Sequence, residues 1–166
     1  MSSQGIRKIG PVDLSGCVQV IRKSFLTVAE EFDFTPENAP RFTAFAIDEE
    51  RLKRQLEDLN REMYAYFSQE SPIVGYASLL RKESNACGLC NLSVLPECRH
   101  QGIGQQLLEY ILHRARDLGC HKLEIGIVEE NQQLKSWYQH LGFVAVRTEK
   151  FSFFPFTCGY MEKQIL

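Results

Sequence analysis

Apolar and polar residues alternate along this chain in two rhythms. After Asp13, the residues Leu14, Cys17, Val18, Ile21 and Phe25 recur at three- and four-residue spacing and mark one helical face, with Asp13 placed to cap it. Thr35-Pro36-Glu37 predicts another helix start, with proline at the first helical position. Leu52, Leu56 and Leu59 predict a helix within 48–59. A third strong face, Leu107, Leu108, Ile111, Ala115 and Leu118, predicts a helix over 104–118 that Gly119 stops. Leu134, Trp137, Tyr138 and Leu141 mark a last helix, ended by Gly142. Between these runs the rhythm changes to that of strands, at 6–9, 62–67, 73–80, 89–95, 122–128, 143–148 and 157–163. Ser71-Pro72 is the turn before the third, 81–85 is a hairpin turn, and Pro96 closes the fourth.

This order is strand, helices, antiparallel meander, then strand–helix–strand–helix–strand–strand. It predicts a mixed α+β layer rather than a doubly wound sheet. The unit 89–128 is a strand–helix–strand crossover, so its two strands are expected to run parallel. With 166 residues and no repeat or linker, residues 1–166 are expected to form one domain.

Composition narrows the function classes. The formal net charge of −2 argues against the basic surface that nucleic-acid binding requires. No apolar run approaches the ~20 residues of a membrane span, and residues 1–12 are too polar for a secretory signal. The expectation is a cytoplasmic protein that binds neither nucleic acid nor membrane. The six cysteines, at 17, 87, 90, 98, 120 and 158, read as small buried hydrophobes with free thiols. A zinc site from Cys87, Cys90, Cys98 and His100 is the alternative. Residues three apart in a strand point to opposite faces, which disfavours it, and no metal is expected.

The chemistry concentrates in Pro96-Glu97-Cys98-Arg99-His100-Gln101-Gly102-Ile103-Gly104-Gln105, which joins a buried strand to an amphipathic helix. A helix start leaves backbone N–H groups unpaired and partly positive. Glycines there open the amides to a phosphate, so the turn predicts an anion site, best suited to a pyrophosphate, with Arg99 adding charge at its mouth. The G-x-x-x-x-G-K-[S/T] pattern is absent. The third glycine of G-x-G-x-x-G would fall at Leu107, and Glu124 sits inside a strand rather than at its end.

Arg99-His100-Gln101-Gly102-Ile103-Gly104 fits the [R/Q]-x-x-G-x-[G/A] signature of the GNAT superfamily of N-acetyltransferases, and here the chain resembles that family. Asn91-Leu92-Ser93-Val94-Leu95-Pro96 resembles its leading strand. Asn131 and Trp137-Tyr138-Gln139-His140-Leu141-Gly142-Phe143 resemble its N-x-x-A-x-x-[F/L]-Y-x-x-x-G-F segment, with Leu134 and Trp137 departing from the usual residues. The match covers about 60–148. It implies a three-layer fold: a mixed sheet of about seven strands, splayed beyond Val94 at the cofactor site and flanked by about four helices. It also implies acetyl-CoA as co-substrate, held by Leu92, Ser93 and Val94, by Arg99, His100, Gln101, Gly102, Ile103, Gly104 and Gln105, and by Asn131.

The resemblance further implies direct attack of a primary amine on the thioester, with a backbone N–H near Val94 or Leu95 for the oxyanion and Tyr138 as the acid that protonates the thiolate. The strand before the signature turn carries no carboxylate base; Glu83 in the hairpin turn and a water chain are the alternatives, and Cys90 as an acyl carrier is unnecessary. Phe151, Phe153, Phe154, Pro155 and Phe156 close the core or a homodimer contact, or else line the pocket of a small-molecule amine; the aromatic, loop-rich segment 25–47 is a candidate lid. Two other classes use the same glycines: a nucleotide-binding domain, and a non-catalytic acetyl-CoA sensor.

Overall fold

The computed structural model describes residues 5–69 and 73–165. The element order is β1 (Gly5–Lys8), α1 (Leu14–Phe32), α2 (Thr43–Ala46), α3 (Glu49–Leu56), β2 (Arg61–Phe67), β3 (Ile73–Arg81), β4 (Ala86–Val94), α4 (Ile103–Asp117), β5 (Lys122–Val128), α5 (Gln132–His140), β6 (Val144–Lys150) and β7 (Thr157–Gln164). Short 3-10 turns precede α1 and α4. The strands form one mixed sheet ordered β1-β2-β3-β4-β5-β7-β6, and the helices cover both of its faces. The architecture is α+β in three layers, with five helices where about four were expected. The expected turn at Ser71-Pro72 lies outside the described residues.

Period-two alternation assigns the layers. On β2, Met63, Ala65 and Phe67 join Cys17, Val18, Ile21 and Leu52 in a core under α1 and α3. Tyr64 and Tyr66 point the other way, into a core with Leu107, Leu108 and Ile111 of α4. Helix α4 sits close on β3 because Gly75 is there: a Cβ on it would lie 2.8 Å from Leu107 Cδ1 and 3.1 Å from Ile103 Cγ2. The α4 exit is as expected, with Gly119 at φ 79° and the Cys120 N–H donating back to the Ala115 carbonyl.

Several local expectations gave way to competing interactions. Thr35 and Asn38 do exchange reciprocal side-chain-to-backbone bonds, of 2.8 and 3.1 Å. They close a single turn rather than a helix, because Pro40 lacks an N–H and holds Ala39 out of helical geometry. Asp13 holds the N-cap position of α1, but its side chain makes no cap bond there; its Oδ2 accepts from the Gly10 N–H behind it. Asp48 caps α3 through the Arg51 N–H, but the helix ends at Leu56 and leaves Leu59 98% exposed. The stretch 25–47 is not a loop throughout: α1 continues to Phe32.

The cysteines need one correction. Cys87 and Cys120 form a disulfide rather than holding free thiols. The parallel pairing of β4 with β5 sets Cys87 opposite Leu123 and so near Cys120, two residues before β5, with the cysteine Cα atoms 6.1 Å apart, inside the range a bridge requires. The other four are free, and burial, then the Asp13 charge, pushes the Cys17 thiol up to about 12. Cys87 belongs to the α4-side core. Cys90 lies on the other side, near Tyr76. Among the described residues no group of three or more His, Cys, Asp or Glu side chains is placed to hold a metal ion, and no helix is long and apolar enough to cross a membrane.

The β4–β5 contact decides where the site lies. It is parallel, as the crossover requires, but it lasts for three pairs only: Ala86↔Lys122, Cys87↔Leu123 and Gly88↔Glu124. The strands therefore part from Leu89 onwards, well before Val94. On the other side of β4 the register against β3 slips between Tyr76 and Ser78. Asn91 takes φ 55° in that bulge, and the Ser93 hydroxyl donates to its carbonyl at 2.8 Å. A bulge bends its strand, which carries the end of β4 away from β5.

Glu62 of β2 ties α4 to the sheet. It accepts from Arg114 Nε at 2.9 Å, from Arg114 Nη2 at 3.1 Å and from the Tyr64 hydroxyl at 2.6 Å. The Arg114 bond, foremost, holds the Glu62 carboxyl below the usual carboxylate range. A depressed carboxyl stabilises the fold above its unfolded pKa and loses that effect as pH falls through its folded pKa. Glu62→Gln is accordingly expected to lower stability by about 1 kcal/mol at neutral pH, a figure already discounted for partial exposure. Urea unfolding at pH 7 and at acid pH checks this; a gap between wild type and variant that does not shrink in acid would rule it out.

Candidate functional site

The splay leaves a cavity of about 250 Å³ between the diverging strands. Leu89, Asn91 and Leu92 of β4 face Ile125, Gly126, Ile127 and Val128 of β5 across it. The backbone edge of β4 that β5 abandons after Gly88 has no strand partner, so its polar groups need water or a ligand.

One of those groups can be identified from the ladder. The Leu95 N–H donates to the Val74 carbonyl at 2.9 Å, and Val94 stands opposite Gly75. That pattern makes Gly75 and Val94 a non-hydrogen-bonded antiparallel pair, so the N–H of Val94 points away from β3. Of the two oxyanion donors considered above, Leu95 is already engaged and Val94 is not.

The glycine turn lies against the end of β4. Gly102 caps α4 at φ 82°, a left-handed conformation that a β-branched residue resists. A Cβ on Gly104 would sit 3.7 Å from Val94 Cγ2 and 3.8 Å from the Trp137 ring, an ordinary contact that fits the glycine-or-alanine choice at this position. The β4 end, the α4 start and α5 thus converge although they are distant in the chain. The amides of residues 100–105 make no hydrogen bond among the described residues, and His100, Gln101, Gly102 and Gln105 are exposed. This is an open helix start, of the kind whose unbonded amides suit an anion.

Arg99 is placed differently from the sequence expectation. Its Nη2 donates to the Ser24 carbonyl at 3.1 Å, to the Ser24 hydroxyl at 3.3 Å and to the Thr27 hydroxyl at 3.1 Å. The guanidinium therefore clamps the turn to α1 instead of standing at the mouth of the glycines, and burial lowers its pKa. Ser93 is buried with its hydroxyl turned onto its own strand, so only its backbone is available to a ligand. Leu92, Asn131 and Tyr138 all line the cavity. Asn131 caps α5 by accepting from the Leu134 N–H at 3.2 Å, and its carboxamide nitrogen has no bond among the described residues.

Tyr138 is buried, with its ring edge-on to Trp137 and Phe143. Its hydroxyl makes no hydrogen bond among the described residues and is not sealed off from the cavity. Burial raises its pKa well above that of an ordinary phenol, so it stays protonated at neutral pH.

The opposite wall is aromatic. Phe25, Phe42, Phe154 and Phe156 line the cavity. Phe156 is buried against Phe34 and Phe42, while Phe151 and Phe153 stack on each other nearer the surface. The aromatic run thus serves both core and cavity. Arg41, Thr43, Cys158 and Tyr160 also line the cavity and carried no local signal: they come from two separate stretches, and only packing gathers them.

Known proteins agree with this geometry. Residues 25–143 match the model of the Acetyltransferase (GNAT) family. An uncharacterized N-acetyltransferase of Mycobacterium tuberculosis is 28% identical over 116 residues, covering 70% of this chain and 74% of the relative. Among solved structures, the PaiA N-acetyltransferase of Thermoplasma acidophilum, in complex with coenzyme A, superposes with a TM-score of 0.80 at 22% identity, covering 98% of this chain and 99% of its own. The ribosomal-protein-S18-alanine N-acetyltransferase of Escherichia coli gives a TM-score of 0.76 at 16% identity, over 98% and 94% of the two chains. With its splayed mixed sheet and glycine-led helix start, and with more than two thirds of its length matched, the chain belongs to the GNAT family of acetyltransferases, enzymes of acyl transfer.

Proposed function

We propose that this enzyme carries the acetyl group of acetyl-CoA to a primary amine of a small molecule by direct attack. The observation that carries the reading is the junction of two features: an open β4 edge with its cavity, and beside it a helix start whose amides are unbonded. A long thiol cofactor with a pyrophosphate at its middle fits that pair. The amides of residues 100–105 are suited to the pyrophosphate, and Leu92, Val94 and Asn131 to the pantetheine arm. The coenzyme A bound by the Thermoplasma neighbour supports the same assignment.

In the reaction the amine lone pair adds to the thioester carbonyl, forming the C–N bond. The oxyanion is met by the Val94 N–H, a fixed donor aimed off the ladder. The C–S bond then breaks, and Tyr138 gives its proton to the leaving thiolate. A phenol with a raised pKa is a weak acid, but the burial that penalises phenolate penalises thiolate in the same cavity, which narrows the gap between them. Tyr160 is a second phenol on the cavity wall; its ring carries the Arg147 guanidinium 3.9 Å from its centroid and it is less buried, so Tyr138 is the better candidate. Glu83 lies in the β3–β4 turn and no carboxylate among the described residues lines the cavity, which favours water as the route for the amine proton.

Four measurements test this reading. Acetyl-CoA-dependent thiol release across an amine panel is expected to be positive, and thermal shifts with acetyl-CoA to exceed those with NAD or ATP; binding without turnover would favour a sensor. Tyr138→Phe is expected to lower kcat about a hundredfold or more with acetyl-CoA affinity nearly unchanged, and equal turnover would remove Tyr138 from the mechanism. Gly102→Val is expected to abolish acetyl-CoA binding in calorimetry and to lower stability by about 1–3 kcal/mol through left-handed strain, leaving the protein folded. Unchanged affinity there would count against the turn as the pyrophosphate site.

A further inference from the structure

The amine side of the cavity has a charge pattern of its own. Among its lining residues Arg41 is the one charged side chain, and no aspartate or glutamate joins it. A pocket built for a polyamine would need an anion near its second ammonium, because an unpaired ammonium in a half-dry cavity is costly. Here the sign is reversed. Arg41 forms no ion pair or hydrogen bond to protein among the described residues, and its guanidinium lies 4.2 Å from the centre of the Phe153 ring. That cation–π contact leaves the N–H donors of the exposed guanidinium unused. Around it, Phe25, Phe42, Phe154 and Phe156 supply apolar wall.

Resting on the acetyl-transfer reading, the geometry points to an acceptor of defined class: a small amino acid with an aromatic side chain, its carboxylate paired to Arg41 and its ring among these phenylalanines. A guanidinium is matched to a carboxylate by its two parallel donors. The cavity of about 250 Å³ also takes the acetyl end of the cofactor, so only its Arg41 side is left to the acceptor, which must be compact. The pairing has a second effect. An α-carboxylate near an amine favours the protonated, unreactive form; neutralising it with Arg41 lowers the amine pKa and raises the fraction able to attack. In a cavity without a carboxylate base, that contribution falls to the guanidinium.

The test uses the full chain, acetyl-CoA and three matched acceptors: phenylalanine, phenylalanine amide and phenethylamine. The expected result is a kcat/KM for phenylalanine at least about tenfold above the other two. That ratio should fall towards one in Arg41→Gln and be partly kept in Arg41→Lys, which retains charge without the fork. Calorimetry with acetyl-CoA on each protein shows that the variants are folded. Equal use of the three acceptors by wild type, or a ratio unchanged in Arg41→Gln, overturns the acceptor assignment. So does acetyl-CoA binding with no turnover of any of them. Failure to bind acetyl-CoA together with no thiol release overturns the acetyl-transfer reading beneath it, and the two failures are therefore distinct.

Discussion

The parallel ladder between β4 and β5 stops after three pairs, at Gly88 and Glu124, and the functional architecture depends on that stop. A sheet continued to Val94 would satisfy its own backbone and leave no space between the two faces. The bulge at Asn91 bends β4 away, and Gly75 lets the first turn of α4 settle against β3 beside the bent end. The result is an unpaired strand edge and an unpaired helix start within one short stretch of chain. Both need hydrogen-bond partners, and neither can find them within the fold.

The two sides of the gap differ chemically. On the helix-start side stand backbone donors and a buried phenol, groups suited to phosphate oxygens and to a thiolate. On the other side stand aromatic rings and a single guanidinium. Arg99 belongs to neither. By bonding Ser24 and Thr27 it fastens the turn to α1, whose far half carries Phe25 and Val28 into the cavity. The rigidity of the turn and the position of the aromatic wall thus share one anchor.

Much of this was legible in the chain before folding, because it follows from local rules. Helix faces over Leu107–Ala115 and strand alternation over Met63–Phe67 report burial directly. The Gly102-Ile103-Gly104 turn needs only its own backbone to expose amides, and Asn131 caps its helix through the N–H three residues ahead. Family resemblance then brought these local features together. Local rules also misled where a neighbour intervened: Thr35 starts a turn as a helix start would, and Pro40 stops it there.

What the amino-acid sequence by itself determined was the set of elements, their order, and the residues able to meet a phosphate or lose a proton. Only the tertiary structure decided which of them meet. The Cys87–Cys120 bridge, the Glu62–Arg114 tie, the turn of Arg99 towards α1 and the meeting of Arg41 with Phe154 and Phe156 on one cavity wall all join residues far apart in the chain. Periodicity and capping act over about four residues, the reach of one helical turn. Partners beyond that distance are set by how sheet and helices bury their faces against one another, so they come into view only when the layers are assembled.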